Sequence, residues 1–351
     1  MSLTLLKAPP PPPALCWREM PDNWQQWIAE NRLRDCDPAS MLQTMRAAGV
    51  PPALAAGAIA HVEHDPVFKA ARQHQQLQRK LESVVGNLQK MWQLAPGYAT
   101  IEKRPLCSNA EFVERYVAGC RPVVFTDVAR DWPALSRWSP ADLKARFGTL
   151  EVEIQAERAA DERYEQNKLQ HRRTVRLSSF VDRVLAGGPS NDHYLTANNE
   201  ALRRAEFAPL LDDIGTLPPF CDRDQLSARS SFWFGPAGTV TPLHHDAVLL
   251  CHTQIIGRKR WRFISPLQWP QVYNFSGVFS PIDVDRPDLA RYPDFAHATV
   301  LDVVVEPGET VFLPLGWWHQ VRALDVSLSF SYSNLALPNH YPYADPTISH
   351  W

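Results

Sequence analysis

The 351-residue chain lacks any continuous apolar stretch long enough to cross a bilayer. Its first residues, MSLTLLKAPPPPPALCW, hold only a brief apolar run, broken by five prolines. Neither a secretory signal peptide nor a membrane anchor is expected. An excess of one charge is also lacking, with 36 Lys and Arg against 38 Asp and Glu and a formal net charge of -2. That balance supplies no global field to draw in nucleic acid or an anionic membrane, so neither is an expected partner. The six cysteines (Cys16, Cys36, Cys107, Cys120, Cys221 and Cys251) are scattered, with no CxxC pair. A disulfide framework and a cysteine zinc site are therefore not expected, and a reducing, cytoplasmic setting fits. No internal repeat is visible.

What the chain does hold is 45% hydrophobic residues, ample for a sizeable core, and a length that suggests one large domain plus a smaller one. Its 31 prolines and 12 tryptophans are high for this length. The prolines are expected between short strands, and the tryptophans in cores or lining a pocket. Residues 1–20 form a proline-rich leader around Pro9–Pro13. Residues 21–95 are expected to be a helical N-terminal domain. There, Asp22 would cap a helix carrying Trp24, Trp27 and Ile28, and a second helix would run from Pro38 to Ala48. A third would start at Asp65-Pro66, with proline at its first position. In that helix Leu77, Leu81, Val84, Val85, Leu88, Met91 and Trp92 keep returning to one face. The stripe is expected to pack on the neighbouring domain, with a dimer seam or partner-binding surface as the alternative.

From residue 96 to 351 the texture changes to short alternating strands, turns and prolines. Ser108 to Glu111 is a capping box, RPVVFTDV (121–128) and EVEIQA (151–156) are strands, and Ser139-Pro140 opens a helix. The charged stretch from Ala159 to Arg173 is expected to be an exposed loop. The fold class expected is mainly β: a double-stranded β-helix barrel of jelly-roll type with flanking helices.

The chemistry concentrates in TVTPLHHDAVLLCHTQIIGRKRWRFISP (239–266) and EPGETVFLPLGWWHQV (306–321). His244 and Asp246 stand two apart, so a strand would aim both at one face. Imidazole and carboxylate on one face make two-thirds of a facial triad for iron(II), which leaves coordination positions open. His319, in a Gly-Trp-Trp-His context, supplies the third ligand. His245, between the first two, would face away. Past Gly257 the segment GRKRWRF alternates, placing Lys259, Trp261 and Phe263 inward and Arg258, Arg260 and Arg262 outward. A lysine on a buried aromatic face needs an anionic partner; the alternative is a snorkelling lysine at the barrel rim. His252 lies an even number of residues after His244, so an unbroken strand would turn it toward the same pocket. Trp233, Trp317 and Trp318 are further candidates for its lining.

Taken in order, Thr241-Pro-x-His244-x-Asp246, Gly257-x-Lys259-Arg260, Phe263-x-x-Pro266 and Gly308 through Trp317-Trp318-His319 resemble the JmjC and cupin-like oxygenases. The resemblance is to the hydroxylase branch that includes the asparaginyl hydroxylase of hypoxia-inducible factor, and it spans residues 96 to 333. It implies Fe(II) held by His244, Asp246 and His319, with 2-oxoglutarate and O2 as co-substrates. It also implies Lys259 on the far carboxylate of 2-oxoglutarate, with Thr241 and Tyr194 as hydroxyl donors to the same group. His252 departs from the family, which more often has an apolar or aromatic residue there, and would border the co-substrate. The aspartate form of the triad tilts the expectation toward hydroxylation and away from demethylation. A protein or peptide side chain is the first substrate class, followed by a small molecule and then a tRNA base. A metal-binding cupin with a regulatory role is the competing class, and Lys259 discriminates, since metal binding alone does not call for a buried cation. A homodimer is also open, with the helix from Asp65 as its candidate surface.

Overall fold

The computed structural model describes residues 16–197, 199–275 and 277–339. The polyproline run Pro9–Pro13 lies outside these. The chain divides into two compact units, Met1–Asn87 and Leu88–Trp351.

The first unit holds helices α1 (Asp22–Leu33), α2 (Pro38–Ala47), α3 (Pro52–Val62) and most of α4 (Pro66–Trp92), which continues into the second unit. The start signals are local. The Asp37 side chain accepts from Ser40 N ahead of α2. Asp65 Oδ1 accepts from Val67 N at 2.8 Å and Phe68 N at 3.2 Å ahead of α4. Asp22 does not cap α1. It sits inside the first turn behind Pro21, where its charge complements the helix dipole. Helix α3 was not expected from the sequence, because PALAAGAIAHV is apolar nearly all round and carries no polar face. Its buried residues, Ala55, Ala58, Ile59 and Val62, do share one face, but the exposed positions are filled by Ala53, Ala56 and Ala60, so no polar contrast marks the stripe in the sequence. Most of the stripe on α4 is exposed, with Leu77, Leu81, Val84, Leu88 and Met91 about half exposed or more, while Val85 is half-buried and Trp92, at its end, packs with its ring 6.0 Å from that of Trp317.

The second unit contains β1 (Glu102–Arg104), β2 (Val123–Phe125), β3 (Glu151–Gln155), β4 (Arg172–Arg176), β5 (Ser230–Gly235) and β6 (Val240–His245). It continues with β7 (Leu250–Ile256), β8 (Lys259–Ile264), β9 (Leu301–Val305), β10 (Thr310–Leu313), β11 (Trp318–Ala323) and β12 (Ser327–Tyr332). A six-stranded sheet, β1-β2-β10-β7-β12-β5, and a four-stranded sheet, β6-β11-β8-β9, form the expected jelly-roll, with β3-β4 as a separate pair. All pairings are antiparallel except β1 with β2. "Mainly β" describes this barrel. Among the described residues helix exceeds strand, 40% against 21%, because of the N-terminal unit and the helices flanking the barrel.

The stretch 159–173 is not a free loop. Arg158, Tyr164 and His171 within and beside it are buried, and it ends in a short helix and the first residues of β4. Several of its charges find partners within or beside it, with Asp161 2.9 Å from His171 and Arg158 2.9 Å from Glu165, while Tyr164 Oη donates to Val240 O at 3.0 Å. Among the described residues Cys36, Cys107, Cys120, Cys221 and Cys251 are free thiols, and no helix is long and apolar enough to cross a membrane.

Asp65 caps α4 and also binds Arg18 at 2.8 Å while almost fully buried. Asp65→Ala is therefore expected to cost about 1–2 kcal/mol, seen as a lower urea midpoint with an unchanged far-UV spectrum at low denaturant.

Candidate metal centre

Strands β6 and β11 pair so that His244 and His319 stand directly opposite each other, with ring centroids 4.1 Å apart. Asp246, one residue past the end of β6, closes the group. Its carboxylate oxygens lie 3.9 Å from His244 Nε2 and 3.7 Å from His319 Nε2. One potential ligand atom from each of the three lies within 4.8 Å of the others. His244 Nδ1 donates to Pro242 O at 2.8 Å and His319 Nδ1 to Trp317 O at 3.0 Å. A carbonyl can only accept, so these bonds place the proton on Nδ1 and leave both Nε2 lone pairs facing Asp246. Burial holds His319 well below the usual histidine range, so it offers a neutral lone pair at pH 7. His245 points away, its ring against Trp318 at 4.7 Å.

The triad borders a cavity of about 360 Å³ that also reaches Lys259, Tyr194, Thr241 and His252. Gly257 makes the turn that delivers Lys259. It has φ +67°, and a Cβ there would meet Val326 O at 2.3 Å. From the turn onward Lys259, Trp261 and Phe263 are buried. Arg260 and Arg262 face outward, to Asp302 and Asp285. Lys259 Nζ donates to Ser329 Oγ at 2.8 Å and Tyr194 Oη at 3.1 Å, and lies 5.6 Å from the Trp233 ring centroid. It makes no ion pair with any carboxylate among the described residues. Burial pushes its pKa down to about 7. The rim alternative fails on this geometry, because Lys259 is almost fully buried.

The hydroxyls that hold Lys259 are those of Tyr194 and Ser329; Thr241 lines the cavity without bonding it. Ser329 was not singled out from the sequence, though VSLSFSYS shows a period of two. Ser327, Ser329 and Ser331 are all buried, with Ser331 on the cavity wall. His252 does turn into the cavity. It is buried between Trp261 and Trp233, and burial, with the Lys259 ammonium nearby, holds it well below the usual histidine range. Trp233 lines the cavity, as does Trp261, whose ring lies nearly parallel to His319. Trp317 and Trp318 do not, since Trp317 Nε1 is tied to Cys120 O and Trp318 packs on His245 and Trp269.

Several buried polar atoms of the cavity residues have no protein partner: His252 Nε2, Trp261 Nε1, Gln155 Oε1 and Ser230 Oγ. Two neutral imidazoles and a carboxylate on one face suit a divalent metal with open positions. A desolvated ammonium on the same cavity suits an anion.

Residues 108–337 match the family described as the cupin-like domain. The chain belongs to that family. Among cupin-like relatives, lysine-specific demethylase 8 of Xenopus tropicalis is 31% identical over 238 residues, 64% of this chain and 51% of its own. Lysine-specific demethylase JMJ30 of Arabidopsis thaliana is 30% identical over 250 residues, 66% of this chain and 54% of its own. The human bifunctional peptidase and (3S)-lysyl hydroxylase JMJD7 is 28% identical over 244 residues, 60% of this chain and 76% of its own. The chain thus spans about half the length of the first two. The family membership agrees with the JmjC and cupin-like resemblance of the sequence motifs.

The buried lysine of this cupin-like barrel has a pH signature. Unfolded, the amine keeps its proton up to its ordinary 10.5; folded, it releases it near 7. Between those values unfolding takes up a proton, so folded stability should rise with pH from about 7 to about 10. Lys259→Met should lack that rise, and thermal melts of both proteins without added ligand across this range measure it.

Proposed function

We propose that the chain is an Fe(II)- and 2-oxoglutarate-dependent oxygenase that hydroxylates a C–H bond of a protein side chain. The observation that carries the reading is the ammonium of Lys259, buried without a carboxylate partner on the same cavity as a His-Asp-His set. A metal site alone leaves that cation unexplained, whereas a dicarboxylate that chelates the metal at one end and meets Lys259 at the other accounts for both.

Each residue then has a physical task. Asp246 brings one negative charge and two neutral imidazoles bring lone pairs, so the set offsets part of a dication's charge and leaves positions for co-substrates. The Nδ1 bonds to Pro242 and Trp317 carbonyls fix both rings before metal arrives. Lys259, oriented by Ser329 and Tyr194, binds the distal carboxylate, and an anion there raises its pKa and keeps it charged. Trp261 and Trp233 line the cavity with aromatic surface and limit water beside these groups. Bound Fe(II), 2-oxoglutarate and O2 supply the oxidation, converting C–H to C–OH while 2-oxoglutarate becomes succinate and CO2.

Two relatives bear on the substrate. By their names, one is a lysine-specific demethylase and another a (3S)-lysyl hydroxylase. A lysyl side chain is therefore the first substrate to test, and the aspartate of the triad favours hydroxylation over demethylation of it.

Anaerobic binding of Fe(II) and 2-oxoglutarate, then succinate release once O2 is admitted, tests the reading. Wild type should bind both and form succinate. His244→Ala should lose metal binding, and Lys259→Ala should keep the metal while 2-oxoglutarate affinity falls by roughly a hundredfold or more, as for loss of a desolvated charge pair. Metal binding without any 2-oxoglutarate retention by wild type would sink the proposal and leave a metal-binding cupin.

A further inference from the structure

The α4 helix has two faces of different kind. One carries Phe68, Arg72, Gln75 and Arg79. Phe68 is buried, Arg72 and Arg79 reach Asp35, and Gln75 donates to Leu33 O at 2.5 Å. This face holds the helix to the rest of the N-terminal unit. Turned well away from it are Leu77, Leu81, Val84, Leu88 and Met91, with exposures of 48–67%. Their spacing alternates strictly between four and three. The same alternation extends backward through His74 and Ala70 to Val67, all exposed. The run covers residues 67–91, more than three heptads of a 3.5-residue period.

A period of 3.5 differs physically from the 3.6 of a helix laid on a globular core. It keeps a stripe straight only along a left-handed supercoil, against another helix of the same period. A second copy of α4 supplies that partner with matched length and pattern. We infer that α4 is a coiled-coil seam through which two copies of this chain pair. The inference is independent of the reading of the metal centre.

Two quantities favour self-pairing. Each copy offers six large apolar side chains that are about half exposed or more, along a helix about 40 Å long by its rise per residue. Burying both stripes approaches the roughly 1,200 Å² at which specific interfaces begin. The flanking positions carry no charge conflict either. In a parallel pair Gln73 meets Gln78 and Lys80 meets Val85 of the other copy, so no like charges face each other. In an antiparallel pair Lys80 would approach its own counterpart. A polar His74 within the apolar seam also penalises slipped registers, in which it would face leucine.

Light scattering of the full chain decides it. Wild type is expected at twice the monomer mass. Leu81→Glu, at the middle of the seam, should weaken association by roughly a hundredfold and give a monomer with an unchanged far-UV spectrum and unchanged metal binding. A monomeric wild type overturns the inference, as it would if the seam were covered by a segment of the same chain. A dimer that survives Leu81→Glu overturns it too, by placing the interface elsewhere. Should Leu81→Glu lose helix content, the milder pair Leu77→Gln and Val84→Gln is judged by the same two outcomes.

Discussion

Strand β11 lies between β6 and β8, and its register with both neighbours determines the site. On one side it sets His319 opposite His244; on the other it sets Val321 opposite Trp261 and Ala323 opposite Lys259. A single strand therefore decides how far the metal-ligand set stands from the buried cation. Side chains alternate with period two, so a slip of one residue would send His319 to the outer face and Trp318 inward. The bulky Trp318, packed against His245 and Trp269 on that outer face, makes such a slip costly. The irregularity between His319 and Val321 in the pairing with β6 falls next to the ligand itself.

The energetic cost of the site is concentrated in Lys259. An ammonium removed from water without a carboxylate is destabilising, and two neutral hydroxyls with two aromatic faces compensate it only in part. Its lowered pKa, and those of His252 and His319, have burial as their main cause, and all three groups line one cavity. Perturbed groups clustered in this way mark a site built for a ligand. The N-terminal unit carries a different kind of exposed surface, an apolar stripe whose period suits a helical partner.

Much of this was legible before folding. The paired spacing of His244 and Asp246, the alternation that buries Lys259 and Trp261, and the Pro-led starts of α2 and α4 are local patterns, and local geometry carried them into the structure. Helix α3 escaped because alanines fill its exposed face and leave no polar contrast with the buried one. Ser329, Gln155 and Ser230 escaped because alternation marks a strand face but not which neutral polar residue on it meets the site; they reach Lys259 or the cavity wall only through β12, β3 and β5. Trp317 and Trp318 were misplaced for a related reason, since aromatic character does not say which side of a strand faces the cavity. The charged stretch 159–173 looked solvated because its ion partners, themselves charged, lie within and beside it.

The chain by itself determined which residue types could ligate a metal, which strand faces they share, and where helices begin, because those follow from periods of two and 3.6 and from end-capping chemistry within a few residues. Only the tertiary structure decided that His319 meets His244 and that Ser329 and Tyr194 hold Lys259. Those relations depend on cross-strand register between segments 65 to 75 residues apart, and no local pattern specifies such a register.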